Sequence, residues 1–305
     1  MSENLYQLFT TQFSTNLELK LQQMGSMLRG KVAEGFHVGK QASPINQVAA
    51  IQAKTPAGRF APKNRTDPGF TRRWVFPNDK EIDQLIDSYD LLKTIVDPKS
   101  AYVQNAAMAV GRDWDDNIIN AAFAVSMTGV DEGGMVTETF STSLYQILDT
   151  FGASASTGLT VAKFIEAKRI FRHNHVDIEN DPLVAVIGSK QESDLLNQTQ
   201  IVSTEFADRP VLVDGKVTRF LGFDIVYSER LQYTSANLRQ TIFFAKSGLY
   251  LGIWKDMTNR VSIRNDLSSE PYDLYTAWSV GATRTQPGKV LQVLCADSTG
   301  ADITP

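Results

Sequence analysis

The sequence has a single cysteine, Cys295, among 305 residues, so no disulfide can form within the chain. Cys295 stands in the apolar run Val290-Leu291-Gln292-Val293-Leu294-Cys295-Ala296. It reads as a small apolar filler on a strand in a reducing compartment, not as a reactive thiol. No stretch approaches the roughly 20 apolar residues that span a bilayer. The opening Met1-Ser2-Glu3-Asn4-Leu5-Tyr6 lacks the basic-then-apolar order of a secretory signal. The expectation is a protein made and used in the cytoplasm, with no membrane partner. A basic excess is also missing: 30 Lys and Arg stand against 34 Asp and Glu, a net charge of −4. Proteins that grip phosphates usually carry a basic surplus. Any DNA met by this chain is therefore expected to be contained and contacted non-specifically, without being read.

Catalytic signatures are absent too. Gly35-Phe36-His37-Val38-Gly39-Lys40-Gln41 has the Gly-Lys of a phosphate loop but the wrong spacing and no hydroxyl. Gly-x-Ser-x-Gly, His-Glu-x-x-His and Gly-x-Gly-x-x-Gly do not occur. His173 and His175 could face one side of a strand and share a metal. They follow a helical pattern beside Arg169 and Arg172, with no further ligand at useful spacing, and read as exposed loop histidines. Asp113, Asp115 and Asp116, with Asp131 and Glu132 beyond, could pair as acid and base or hold a cation. A solvated helix face explains the first three more simply. No catalytic, cofactor-binding or metal site is expected, and no enzyme.

What is present is an ordinary globular composition, 42% hydrophobic and 21% charged, in a chain long enough for a sizeable core. Leu17, Leu21, Met24 and Leu28 fall at helical spacing within a polar first 30 residues. Residues 31–77 alternate short extended pieces with turns. The stretch 55–69 is rich in Pro, Gly and charge, and leads into the strand-like Phe70-Thr71-Arg72-Arg73-Trp74-Val75-Phe76. A compact domain rarely keeps so long an excursion without a use for it. Residues 79–127 give the strongest helical pattern. Asn78 or Asp79 could cap its start, Asp97-Pro98 restarts it, and Gly111 marks a close packing point or a bend. Beyond it come a helix over 159–171 with Thr157 as possible cap, a buried strand at 183–187, a short helix at 189–196, a strand at 220–227 and closing strands from 241. The class is α+β.

The order of these parts (polar arm, extended loop, long helix, α/β unit, closing strands) resembles the Hong Kong 97-type major capsid fold of tailed phages. The stretches that look most like that family are Arg72-Arg73-Trp74-Val75 with 83–90, the helix 101–119, Phe220-Leu221-Gly222-Phe223-Asp224-Ile225-Val226-Tyr227-Ser228, and Tyr275-Thr276-Ala277-Trp278-Ser279-Val280-Gly281-Ala282-Thr283-Arg284. The likeness covers residues 30–296. It implies an N-terminal arm at 1–30, an extended β-hairpin loop at 31–78, a peripheral domain at 79–150 with a spine helix at 98–127, an axial domain at 151–245, and peripheral return strands at 246–305. It implies a structural protein that assembles with copies of itself into hexamers and pentamers of an icosahedral shell around double-stranded DNA. Assembly would take place in the host cytoplasm, with scaffolding, portal and decoration proteins as further partners. An arm of this length is too short for a built-in scaffolding segment, so a separate scaffold or a processed form is implied. Some members crosslink a loop lysine to a distant asparagine; Lys54 and Lys63 are loop lysines here, without a matching Asn or Glu. The inter-subunit contacts are expected at Arg59, Phe60, Arg65, Phe70, Arg72, Arg73 and Trp74. The Arg72-Arg73-Trp74 triplet could also stack on a base, but Arg and Trp suit a protein interface better. Two other readings stay open: an encapsulin-type bacterial compartment of the same fold, and a soluble α/β enzyme with a dispersed site.

Overall fold

The structure is a computed structural model that describes residues 22–40, 43–55, 58–60, 62–63, 65–87, 99–129, 132–198, 212–213, 216–234 and 237–297. Its strands are β1 (Ala33–Phe36), β2 (Ser43–Val48), β3 (Phe70–Val75), β4 (Asn78–Ile86), β5 (Ser126–Thr128), β6 (Val136–Glu138), β7 (Gln146–Ile147), β8 (Leu183–Ile187), β9 (Leu212–Val213), β10 (Lys216–Val217), β11 (Arg219–Phe220), β12 (Phe223–Tyr227), β13 (Leu238–Ala245), β14 (Leu249–Ile263), β15 (Tyr272–Arg284) and β16 (Val290–Ala296). Its helices are α1 (Lys99–Phe123), α2 (Thr142–Tyr145), α3 (Val161–His173) and α4 (Ser189–Leu196). The chain divides into two compact units. One holds Met1–Ser26, Asp79–Arg112 and Lys255–Trp278; the other holds Met27–Asn78, Asp113–Trp254 and Ser279–Pro305.

The larger unit is built on a six-stranded sheet of order β11-β12-β8-β13-β16-β7. β8 reads Leu-Val-Ala-Val-Ile and is buried along its whole length, as a continuous apolar run requires when both faces are covered. It pairs in parallel with β12 and antiparallel with β13. β16, expected among the return strands, lies inside this sheet against β13, with Thr241 opposite Val293. α3 packs on the sheet through Phe164, Ala167 and Phe171. The Phe164 ring meets Phe220, Phe223 and Phe243 edge to face, with centroids 4.9 to 5.7 Å apart. Thr160, not Thr157, caps this helix by accepting from the Lys163 amide. Lys163 lies fully buried on the same face; its ammonium donates to the carbonyls of Thr157 (2.9 Å), Gly158 (2.7 Å) and Leu294 (3.0 Å). Three acceptors offset the cost of burying the charge, while desolvation holds its pKa below that of a free lysine. Ile165, on the same helix, is exposed.

The smaller unit contains the first part of α1, most of β4, and the outer parts of β14 and β15. The sheet order is β1-β14-β15-β4, so β4 is an edge strand. The segment 78–86 was expected to start a helix. It is a strand because Ile82, Gln84 and Ile86 alternate inward against exposed Glu81, Asp83 and Leu85, a period of two that pairing with a neighbour strand fixes. The long helix runs Lys99–Phe123 and stops short of 127, because Ser126–Thr128 enters a sheet with β3 and β6. Asp97 and Pro98 lie outside the described residues, as do Leu17 and Leu21 of the proposed arm helix. Residues 22–32 form no helix; Met24 is exposed and Leu28 is fully buried. Gly111 marks a close packing point. A Cβ there would stand 2.5 Å from the Gly25 carbonyl carbon.

Candidate assembly surface

β2 and β3 form an antiparallel hairpin in the register Ser43↔Val75 to Val48↔Phe70, and the Ala49 amide continues the ladder to the Gly69 carbonyl at 2.8 Å. Along β3 the side chains pass from exposed at Phe70 and Thr71 to buried at Arg73, Trp74 and Val75. The hairpin therefore has a root inside the unit and a tip in solvent. Val48 and Phe70 are opposite partners and both are exposed, as is Ile51. At the tip Phe60 is 98% exposed with φ of +74°, a left-handed conformation that bulky residues rarely adopt. The Arg59 guanidinium lies 5.9 Å from its ring centroid. Lys54 Nζ donates to the Arg65 carbonyl at 3.3 Å, bridging the two arms.

Of the seven sequence-predicted contact residues, Arg59, Phe60, Arg65 and Phe70 are exposed and Arg72 is half-buried. Arg72 Nε donates to Asn46 Oδ1 at 2.8 Å across the hairpin. Arg73 and Trp74 are placed differently, only 8% and 6% exposed. The Trp74 indole donates to the Gly129 carbonyl at 3.2 Å, and Arg73 pairs with Glu138. Adjacent strand residues face opposite sides, so β3 is buried on both faces at its root, where β5 and β6 extend the sheet. These two residues hold the hairpin in its own chain and offer little to a neighbour.

The root contains a second cation that the sequence did not single out. Arg284, fully buried at the end of β15, donates through Nη1 to the carbonyls of Ala122 (2.8 Å) and Ala124 (3.0 Å). Its Nη2 lies 3.3 Å from the Glu138 carbonyl and 3.4 Å from Ser126 Oγ. It thus terminates α1, where helix carbonyls lack partners, and ties that end to the strands flanking the hairpin. Burial holds its pKa below that of a free guanidinium. One close approach sets this geometry. Gly281 stands against the Phe76 carbonyl, with only 1.9 Å between that oxygen and the place a Cβ would occupy.

The other candidates resolve as structure. Asp115, expected on a solvated face, is fully buried and accepts the Met27 and Leu28 amides at 3.0 and 3.1 Å. Asp116 forms a bidentate pair with Arg230. Asp131 lies outside the described residues. His173 and His175 are exposed and no third ligand joins them; among the described residues no group of three or more His, Cys, Asp or Glu is placed to hold a metal. Gly35 and Phe36 of the Gly-Lys segment are the last two residues of strand β1. Cys295 is buried, with its thiol pushed up to about 12 by desolvation. No helix of the described residues is long and apolar enough to cross a membrane.

The hairpin is buried at its root and exposed at its tip. Residues 5–297 match the phage capsid protein family, and the chain belongs to that family. Similar solved structures are the capsid of cyanophage P-SCSP1u (TM-score 0.75, 14% identity, covering 98% of this chain and 97% of that one), the capsid of cyanophage Pam1 (0.74, 12%, 96% and 98%) and the capsid of Ralstonia phage GP4 (0.71, 10%, 97% and 96%). The likeness establishes the Hong Kong 97-like α+β fold. A search of curated protein sequences finds no match. The chain is a structural major capsid protein, located in the virion capsid, and its partners are copies of itself.

Proposed function

We propose that this protein assembles in the host cytoplasm into hexamers and pentamers of an icosahedral shell enclosing double-stranded DNA, and that it catalyses no reaction. In this reading the segment 1–30 and the hairpin within 31–78 reach adjacent copies, 151–245 surrounds the symmetry axes, and the spine helix supports the peripheral part. Scaffolding, portal and decoration proteins act on the same shell. The net charge of −4 suits a wall that contains DNA without trapping it. The observation that carries the reading is the exposed apolar set Val48, Ile51, Phe60 and Phe70 on a hairpin whose root is buried. Apolar area gains about 25 cal/mol per Å² when covered. A contact between unlike patches also repeats around a ring until it closes.

Negative-stain microscopy of the purified chain tests this. The wild type should form closed isometric particles as concentration rises. A chain that stays monomeric throughout would contradict the reading. Phe60→Ala should leave the melting temperature unchanged, because the side chain is bare in the monomer. It should weaken each inter-copy contact by about 2 kcal/mol, seen as a higher concentration threshold for particles.

A further inference from the structure

The hairpin tip is charged against the sign of the chain that carries it. Between Ala49 and Gly69 stand Lys54, Arg59, Lys63 and Arg65 against Asp67 alone, a net of +3. The whole chain is at −4, so the remainder stands at −7. All five of these side chains are exposed.

A surface of opposite sign lies on β4. Alternate residues of a strand share a face, so Asp79, Glu81, Asp83 and Leu85 point the same way, and all four are exposed. The neighbouring strand β15 adds Asp273, which is only 9% exposed and whose Oδ1 is buried with no hydrogen-bond partner. The groups around this strip are Lys80 on β4, the Tyr275 hydroxyl, which donates to Glu81 at 2.8 Å, and Arg264. Arg264 is engaged chiefly by Asp266, through bonds of 2.8 and 2.7 Å, and stands 3.7 Å from Asp273. The neighbouring Asp273 carboxyl raises the pKa of Asp83, as expected where carboxyl groups crowd. The strip therefore holds more negative charge than its surroundings neutralise, and one of its oxygens lacks a donor.

We propose that the acidic face of β4 in one copy is the seat of the basic hairpin tip of a second copy. Lys54, Arg59, Lys63 and Arg65 lie against Asp79, Glu81 and Asp83, and Phe60 covers Leu85. The inference rests on the shell reading above and names the surface that reading leaves open. DNA phosphates suit the tip but not the strip, whereas another copy of this chain supplies both halves. Because donor and acceptor surfaces differ, each copy gives one contact and receives one, which propagates around a ring. An exposed ion pair is individually weak and salt-sensitive, so the effect comes from several pairs repeated in every copy.

The test mixes nitrogen-15-labelled and unlabelled full-length chain under assembly conditions at low salt, with a zero-length carbodiimide that couples amines to carboxylates. Mass spectrometry should find Lys54 or Lys63 joined to Asp79, Glu81 or Asp83 in mixed-label peptides. In parallel, the triple variants Arg59→Glu/Lys63→Glu/Arg65→Glu and Asp79→Lys/Glu81→Lys/Asp83→Lys should each raise the concentration threshold for particles by about tenfold or more, while keeping the wild-type circular dichroism spectrum. Combining the two sets should return the threshold to within about threefold of wild type. Particles that form without these crosslinks, or a combined variant no better than the single sets, overturn the inference and leave the shell reading intact. No association between copies under any condition overturns the shell reading, and this inference with it.

Discussion

Phe60 and Trp74 belong to one hairpin and have opposite surroundings, which sets opposite consequences for losing them. Trp74 is packed at the root and donates to the Gly129 carbonyl. Trp74→Ala should cost about 3–5 kcal/mol of fold stability, read from urea unfolding of the unassembled chain. A wild-type unfolding midpoint for that variant would show that the root is not built this way. Cys295 gives a pH-dependent prediction. Burial raises its thiol from about 9 to about 12, so the folded state holds the proton that the unfolded chain gives up. Its contribution to stability is whole below about pH 9 and falls as pH climbs toward 12. The slope is about 1.4 kcal/mol per pH unit at most. Lys163 is depressed by burial and acts in the opposite direction, gaining as pH rises toward the unfolded lysine value of 10.5. Comparing wild type with Cys295→Ala isolates the thiol: the wild type should lose more stability than the variant between pH 9 and 11. Parallel curves would rule the effect out.

At the scale of elements, α1 shows how a propensity rule yields to packing. Replacing a helical glycine by alanine usually stabilises by about 1 kcal/mol. At Gly111 the added methyl would meet the backbone of Gly25 and Ser26 at 2.5 to 2.6 Å, and backbone yields at greater cost than a flexible side-chain end. Gly111→Ala should therefore be net destabilising, by about 1–3 kcal/mol in thermal melts, against the propensity trend. Elements whose identity lies in their own residues were legible. β8 is five apolar residues in a row, α4 spans the expected 189–196, and the stripe of Val110, Trp114, Ile118 and Ala122 marks α1. Elements decided by distant partners were not. β4 carries helix-favouring Lys, Glu, Gln and Leu, and its place beside β15 selects the strand over the helix. Asp115 looks solvated until the Met27 and Leu28 amides arrive from far along the chain. Arg73 looks like a surface anchor until Glu138 does. Nothing near Arg284 in the sequence announces that its acceptors are the Ala122 carbonyl at the end of α1 and the Ala124 carbonyl just past it.

For the whole molecule, the account comes down to where the outward-facing hairpin finds cover. Its root is fixed by Arg73, Trp74 and Arg284, and its tip carries Phe60, Ile51 and four cations in solvent. On the proposed reading, this tip finds its cover on a second copy in the assembly. Hydrogen exchange of the amides in 49–69 measures this directly in assembled particles and in unassembled chain at the same pH and temperature. The account predicts slow exchange of this segment in particles and fast exchange in the free chain, while β8 stays equally protected in both. Equally fast exchange of 49–69 in the two states would contradict it.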